Sequence, residues 1–538
     1  MNQVQRIKGH MIVHGKQQTM EIPFGITALE AIRLSGIAFH APCGGNGTCG
    51  KCKAKITGSI SLMDQREEKF LSEDEKKKGI RLACMCKLLG DFEIVADAEE
   101  LSVQTAAFCK EYTFLPMVSP DGAKSALGLA VDIGTTTVAL YLCDLRTGDV
   151  IEKRGFRNPQ SAYGADVISR IDKIMKQKEA LFAQQRLISD AISKEVSHIC
   201  ETHGLSDRDI LAMVVCGNTV MQHIAAGIDP SSIANAPFTA PTLFGEIYRA
   251  KTLGFLKHSD APLYFAPCFA SYVGGDIACG IIATGLDSVS ETVLFIDIGT
   301  NGEIGLATKD GLYFCSAAAG PALEGAHIAC GMPGLPGAVS EVFLENGQLR
   351  YRTIGNLPAV GICGSGIIDA VAWMLRMGLL DETGRIVDAD EAEAYASYIE
   401  EDENGDSVFM IDKERNVYLC GRDIREIQLA KAAICAGIDT LLHEAGLETE
   451  DVKEVVIAGG FGSHLKAESI CRIGLVPPMD AEKLRFVGNA AGAGATAILL
   501  GKEPRAAAKE IVSKSKYTEL SKNAYFMEKY IEEMMFSE

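Results

Sequence analysis

Basic charge is in short supply in this chain. Its 52 Lys and Arg residues face 71 Asp and Glu, for a formal net charge of −19 over 538 residues. Nucleic-acid binders need a basic face to displace counterions, so nucleic acid is excluded as a partner, and so is an anionic membrane surface. The acidity itself needs no role beyond keeping the protein soluble. Long apolar runs are missing as well. No stretch reaches the roughly 18 residues of a membrane span, and the opening MNQVQRIKGHMIVHGKQQ has no apolar core of signal-peptide length. The expectation is a cytoplasmic protein without a membrane partner. What is present in quantity is cysteine, 17 residues. In a reducing compartment these read as free thiols or metal ligands rather than disulfides. Most, like Cys216 in MVVCGNTV, sit in apolar runs and read as small core residues.

At this length one core does not suffice. Residues 1–98 carry a strand pair (HMIVHG, QTMEIPF), a helix capped by Thr27 and ended by Gly36 (TALEAIRLSG), and a closing strand (DFEIVAD). They form an expected small α+β domain. A weakly periodic stretch, 99–127, contains Pro120, Asp121 and Gly122 and reads as a linker. Beyond it lies one internal repeat: LAVDIGTTTVALYLCD at 129–144 returns as LFIDIGTNGEIGLAT at 294–308. The copies start 165 residues apart, too far for a solenoid and suited to two similar α/β halves. The expected halves are 128–290 and 291–510, with helical patterns such as SGIIDAVAWMLRMGLL and REIQLAKAAICAGIDTLLHEAG between the strands. A helical extension, 511–538, follows.

The segment APCGGNGTCGKC, residues 41–52, crowds Cys43, Cys49 and Cys52 among four glycines, and RLACMC adds Cys84 and Cys86. A 2Fe–2S cluster needs four thiolates, and glycines let the backbone fold tightly and aim N–H groups at the sulfurs. Zinc also accepts four thiolates, but its knuckles pair two Cys-x2-Cys units, and the second unit here is Cys84-x-Cys86. The loop resembles that of plant- and adrenodoxin-type ferredoxins, a β-grasp fold. Its Cys-x5-Cys gap is one residue longer than the plant spacing. That resemblance implies Cys84 as fourth ligand, with Cys86 the alternative and otherwise a neighbouring free thiol.

The two Asp-Ile-Gly-Thr turns suit phosphate. Gly134 and Gly299 permit close backbone approach, and Thr135, Thr136, Thr137 and Thr300, followed by Asn301, supply polar groups. Asp132 and Asp297, at strand ends, are candidates to hold Mg²⁺ directly or through water. A later strand enters Gly459-Gly460-Phe461-Gly462 in EVVIAGGFGSHL. In this order the three elements resemble the actin, Hsp70 and sugar-kinase superfamily. That implies two ribonuclease-H-like lobes binding ATP, with Gly459, Gly460, Phe461 and Gly462 beside the adenosine. ICGSGIID reads as a helix N-terminus. Asp276 in GGDIACG is a candidate to orient the attacking water, or else a dipole partner at a helix start; Glu303 has the same standing. CSAAAGPALEGAHIACGMPG reads either as a close-contact loop for a partner or cofactor, with Ser316 and Glu324 as its polar groups, or as a tightly packed loop between lobes.

Taken together, residues 1–98 and 128–500 resemble the reductive activators of corrinoid-dependent methyltransferases and corrinoid iron–sulfur proteins. CGGNGTCGKC, VDIGTTT, IDIGTNGEIGL, AAGPALEGAHIACGM and IAGGFG carry the likeness. It implies ATP-dependent, one-electron reduction of Co(II) corrinoid to Co(I), a corrinoid protein as partner and an external low-potential electron donor. Some relatives have a further domain where this chain has its short linker, which leaves a homodimer open. Two other readings are an activator like those of 2-hydroxyacyl-CoA dehydratases and a small-molecule kinase with a redox-sensing ferredoxin domain. The former use a 4Fe–4S cluster at a subunit interface, against which the ferredoxin loop argues.

Overall fold

The computed structural model describes residues 6–13, 16–35, 39, 45, 47, 50–96, 111–123, 125–459 and 465–536. Two compact units emerge. One collects the N-terminal domain, Tyr112–Asp276 and Ala495–Ala506; the other holds Ile277–Gly494 and Ala507–Glu538.

In the N-terminal domain, β1 (Arg6–Val13), β2 (Lys16–Pro23), β3 (Lys53–Ile60), β4 (Ile80–Leu82) and β5 (Leu88–Ala96) form one mixed sheet of order β2-β1-β5-β3-β4. β1 and β5 run parallel at its centre, while β1–β2 is an antiparallel pair. Helix α1 (Ala28–Leu34) starts at Thr27, whose side chain accepts from the Glu30 N–H while Glu30 reaches back to the Thr27 N–H. Its buried face, Ala28, Leu29, Ala31 and Ile32, shares a core with Met11, Ile22, Ile56, Leu82 and Ile94. This is the β-grasp arrangement. Gly36, the expected helix end, lies outside the described residues.

The rest of the first unit is built on a six-stranded sheet. Its strands are β6 (Leu127–Ile133), β7 (Thr137–Asp144), β8 (Val150–Arg157), β9 (Ile210–Gly217), β10 (Ile247–Arg249) and β11 (Pro262–Phe265), in the order β10-β11-β9-β6-β7-β8. β6 pairs antiparallel with β7 and parallel with β9. Leu129, Val131 and Ile133 of β6 are buried with Leu140 and Leu142 of β7 and the apolar side of α2 (Val167–Lys176), namely Val167, Ile171 and Ile174. The described part of the expected linker is tied down. The Leu115 and Met117 N–H groups donate to the Leu500 and Leu499 carbonyls at 2.8 Å each, and Glu503 accepts from both the Thr113 N–H and its hydroxyl at 2.7 Å.

The second unit repeats the plan. β12 (Thr292–Ile298), β13 (Gly302–Thr308) and β14 (Gly311–Ala317) form an antiparallel run. Two small sheets follow, one of β15 (Ala338–Glu345), β16 (Gln348–Thr353) and β17 (Gly361–Ile362), the other of β18 (Ile399–Glu401), β19 (Ser407–Asp412) and β20 (Val417–Cys420). The main sheet is completed by β21 (Val452–Ala458), β22 (Leu484–Gly488) and β23 (Ser515–Tyr517), in the order β22-β21-β12-β13-β14-β23. β12 pairs parallel with β21, as β6 does with β9. The repeated sequence thus occupies the same place in both sheets. ICGSGIID is a helix start, with Gly364–Arg376 following Cys363. The C-terminal segment is not wholly helical: β23 adds a parallel strand beside β14. Then α4 (Ala524–Glu532) packs on α3 (Gly421–Ala445).

Candidate functional site

Cys52 closes the cluster loop just before β3, and Cys84 follows β4. The Ala83 N–H donates to the Cys52 carbonyl at 2.8 Å, and this backbone bond brings the two sulfurs to 3.3 Å. β4 is anchored from behind by a buried ion pair. Arg81 makes two 2.8 Å bonds to the Glu67 carboxylate, which also accepts from the Leu82 N–H. Cys86, two residues on, is fully buried, and desolvation pushes its thiol up to about 11. Desolvation thus favours its neutral thiol, while half-exposed Cys84 meets Cys52. Gly50, at φ +65°, shows why the loop needs glycine: a Cβ there would lie 2.5 Å from the Phe70 ring. Cys43 and Cys49 lie outside the described residues.

In the first unit, the turn between β6 and β7 closes through the Gly134 N–H, which donates to the Thr137 carbonyl at 3.0 Å. A Cβ on Gly134 would approach that carbonyl to 2.6 Å. Asp132 sits at the end of β6, opposite Ala139 and beside Cys216, whose sulfur is 3.8 Å from its carboxylate. Three side chains, two of them fully buried, pin the turn. Asn158 Nδ2 donates to the Gly134 carbonyl at 2.8 Å, Arg170 Nη2 to the Thr135 carbonyl at 2.6 Å, and Asn218 Nδ2 to Thr135 Oγ1 at 3.0 Å. Arg170 has no exposed surface, and burial lowers its guanidinium to about 9. Asp276 begins the helix Gly275–Thr284. The preceding Gly274 packs so closely on Asn218 that a Cβ would lie 2.4 Å from the Asn218 Cα, so the segment bearing Asp276 abuts a residue that touches Thr135.

In the second unit, the Gly299 N–H donates to the Asn301 carbonyl at 3.0 Å and closes the matching turn. Asp297 on β12 faces Glu303 on β13, and Glu303 faces Ser316 on β14, so these side chains share one face of the sheet. Thr300 Oγ1 donates to Glu324 Oε1 at 3.2 Å. Burial raises the Glu324 carboxyl, with hydrogen bonds from Thr300 opposing the shift. Gly459 follows β21 at φ +101°, and a Cβ there would lie 2.8 Å from Asp297 Oδ1 and 3.0 Å from the Ile298 carbonyl. The late glycine turn therefore starts against the aspartate hairpin. Gly460, Phe461 and Gly462 lie outside the described residues.

Asn158, Arg170 and Asn218 were not among the residues singled out from sequence. Arg170 had a signal: it occupies a position of α2 that the apolar spacing Val167, Ile171, Ile174 assigns to the core. Asn158-Pro159 is a turn starter, and Asn158 indeed accepts from the Gln160 N–H.

Comparison with known proteins extends this picture. Three family models match in order: the 2Fe-2S iron-sulfur cluster binding domain over residues 11–89, the RACo middle region over 127–289, and the C-terminal domain of RACo, the ASKHA domain, over 291–538. The corrinoid activation enzyme RamQ of Eubacterium limosum is 34% identical over 447 residues, covering 79% of this chain and 72% of that one. The chain belongs to the family of reductive activators of corrinoid proteins. Within that family, the [Co(II) methylated amine-specific corrinoid protein] reductase of Methanosarcina barkeri is 24% identical over 70% of each chain. A solved reductive activator for corrinoid, iron-sulfur protein superposes with a TM-score of 0.70 at 30% identity over 98% of both chains. The activator described here thus joins a β-grasp 2Fe–2S ferredoxin domain to an actin-like, sugar-kinase-like α/β part. Among the described residues, no helix is long and apolar enough to cross a membrane.

Proposed function

We propose that this activator returns an oxidised corrinoid protein from Co(II) to Co(I), using one electron and coupling the step to ATP. The observation that carries the reading is the presence, on one chain, of the Cys52–Cys84 sulfur pair and of two matching Asp-Ile-Gly-Thr hairpins. Cys43, Cys49, Cys52 and Cys84 would hold a 2Fe–2S cluster, which supplies one-electron transfer. The donor set fits. The Cys52 and Cys84 sulfurs lie 3.3 Å apart, and left-handed glycines shape the loop.

On the nucleotide side, Gly134, Thr135, Thr136 and Thr137 in one unit, and Gly299, Thr300 and Asn301 in the other, receive phosphate oxygens. The tight turn that Gly134 permits against the Thr137 carbonyl supports this role. Asp132 and Asp297 would hold Mg²⁺, whose charge offsets that of the phosphates. Gly459, Gly460, Phe461 and Gly462 border the adenosine. Asp276 and Glu303 orient the water for hydrolysis of the γ-phosphate; the shared sheet face of Asp297, Glu303 and Ser316 supports Glu303 in that role.

ATP is needed for an energetic reason. Plant-type centres sit near about −400 mV, Co(I) demands a lower potential, and each shortfall of ~59 mV costs tenfold in a one-electron equilibrium. Nucleotide helps by favouring a conformation with different redox or binding properties. The test mixes the protein, a low-potential reductant and candidate Co(II) corrinoid proteins, and follows Co(I) absorbance. Faster and more complete reduction with Mg-ATP is expected. Equal rate and extent without nucleotide would refute the proposal.

A further inference from the structure

We infer that the turn at residues 158–163 relays the state of the first nucleotide hairpin to the seat of the 2Fe–2S domain; the inference rests on the function proposed above. All the groups concerned belong to one compact unit. The turn, a 3-10 helix over Pro159–Ala162 with its flanking residues, has two faces.

One face grips the hairpin. The Asn158 N–H donates to the Thr136 carbonyl at 2.8 Å, and Asn158 Nδ2 holds the Gly134 carbonyl at the same distance. The Thr135 carbonyl between them is held by Arg170, whose Nη1 lies 3.5 Å from Gln160 Oε1 in the turn. Every carbonyl from Gly134 to Thr136 is therefore tied to the turn, directly or through Arg170. Asn158, Gln160 and Arg170 have no exposed surface. The other face seats the ferredoxin domain. Ser161 Oγ donates to the Phe39 carbonyl at 3.3 Å, Arg33 Nε of α1 donates to the Ala162 carbonyl, and the Arg33 guanidinium lies 5.1 Å over the Tyr163 ring. Arg33 also borders the cluster loop: a Cβ built on Gly45 would lie 3.5 Å from Arg33 Nη2 and 3.9 Å from the Cys84 Cβ.

The coupling follows from peptide geometry. Each carbonyl shares a rigid plane with the next residue's N–H. Turning the N–H groups of Thr135, Thr136 and Thr137 toward a phosphate therefore rotates the three carbonyls that the turn holds. The donors Asn158 and Arg170 are buried, so breaking these bonds would strand their polar groups away from water, and the turn follows the hairpin instead. Its movement carries the Ala162 carbonyl and Tyr163 with it, and with them the positive charge of Arg33 beside the cluster loop. Charge near a cluster and solvent access to it both tune its potential. Arg33 and Tyr163 are thus positioning residues that convert nucleotide occupancy into a change at the cluster.

The experiment uses full-length, iron-loaded protein with a non-hydrolysable ATP analogue and Mg²⁺. It measures the cluster midpoint potential by EPR-monitored titration, and hydrogen exchange over Ala28–Leu34. In the native protein and in Tyr163→Phe, nucleotide shifts both readouts. In Tyr163→Ala and Arg33→Ala the nucleotide-dependent shift disappears, while iron content is unchanged and nucleotide affinity stays within twofold. A full shift persisting in both truncation variants, or a native protein that binds nucleotide with no shift, would overturn the relay and leave the proposed function standing. A native protein that binds no nucleotide would overturn both.

Discussion

A single residue separates Cys84 from Cys86, yet the fold gives them opposite surroundings. The first meets Cys52; the second is walled into the domain core. Cys84→Ser should therefore lose most bound iron and acid-labile sulfide, whereas Cys86→Ser should keep both at native stoichiometry, as iron and sulfide assays will register. Gly459→Ala places a methyl group against the Asp297 carboxylate at a backbone angle that suits glycine. It should weaken Mg-ATP binding at least tenfold in calorimetry without altering the visible spectrum of the cluster. Arg170→Met leaves the Gly164 and Thr135 carbonyls without their buried donor. A stability loss on the order of 3 kcal/mol, read from denaturant unfolding, follows from two unsatisfied groups. At this scale the sequence was legible where function demands particular residue types close together, as in the cysteine loop and the paired turns. It was opaque where partners meet across the chain. Nothing in local pattern joins Thr300 to Glu324, or Asn218 to Thr135 across 83 positions.

Among the elements, the strand-turn-strand repeat and the Thr27-capped helix were readable because period and capping are local properties. The parallel addition of β23 was not, since Ser515–Tyr517 is too short to carry an alternation and is stabilised by pairing with β14. The contact between α3 and α4 has a consequence for pH. Cys435 and Asp439 on α3 and Glu533 just beyond α4 bring their ligand-type atoms within 4.8 Å of one another. Burial, then the neighbouring Glu533, raises the Asp439 carboxyl from 3.8 to about 6, with Lys529 opposing and Glu532 adding to the shift. A raised carboxyl binds its proton more tightly in the folded state. Its stabilising contribution is full below the unfolded value and is lost as pH rises through about 6. Asp439→Asn should accordingly raise stability at pH 8 by about 1–3 kcal/mol and leave it little changed near pH 4. Denaturant melts at the two pH values check the sign.

Across the whole molecule, nucleotide binding and folding are linked. Mg-ATP at about a hundred times its Kd should add roughly 2.7 kcal/mol to the stability of the part that binds it. A thermal scan should show that part's transition rise, the rise vanishing with EDTA or in Asp132→Asn, while the ferredoxin transition keeps its own dependence on iron. The two-lobed plan was legible from the doubled motif. The fastening of residues 113–117 to Leu499, Leu500 and Glu503 was not, because those partners lie nearly four hundred positions away. That fastening fixes one end of the connection to the ferredoxin domain. Ala96 and Thr113 are 17 positions apart, so chain length alone limits their separation to roughly 60 Å. A ferredoxin domain lifted from its seat remains a captive reagent, present at a local concentration that dilution of the protein does not lower. Once a corrinoid protein is bound, electron delivery to it should be first order and insensitive to dilution of the complex.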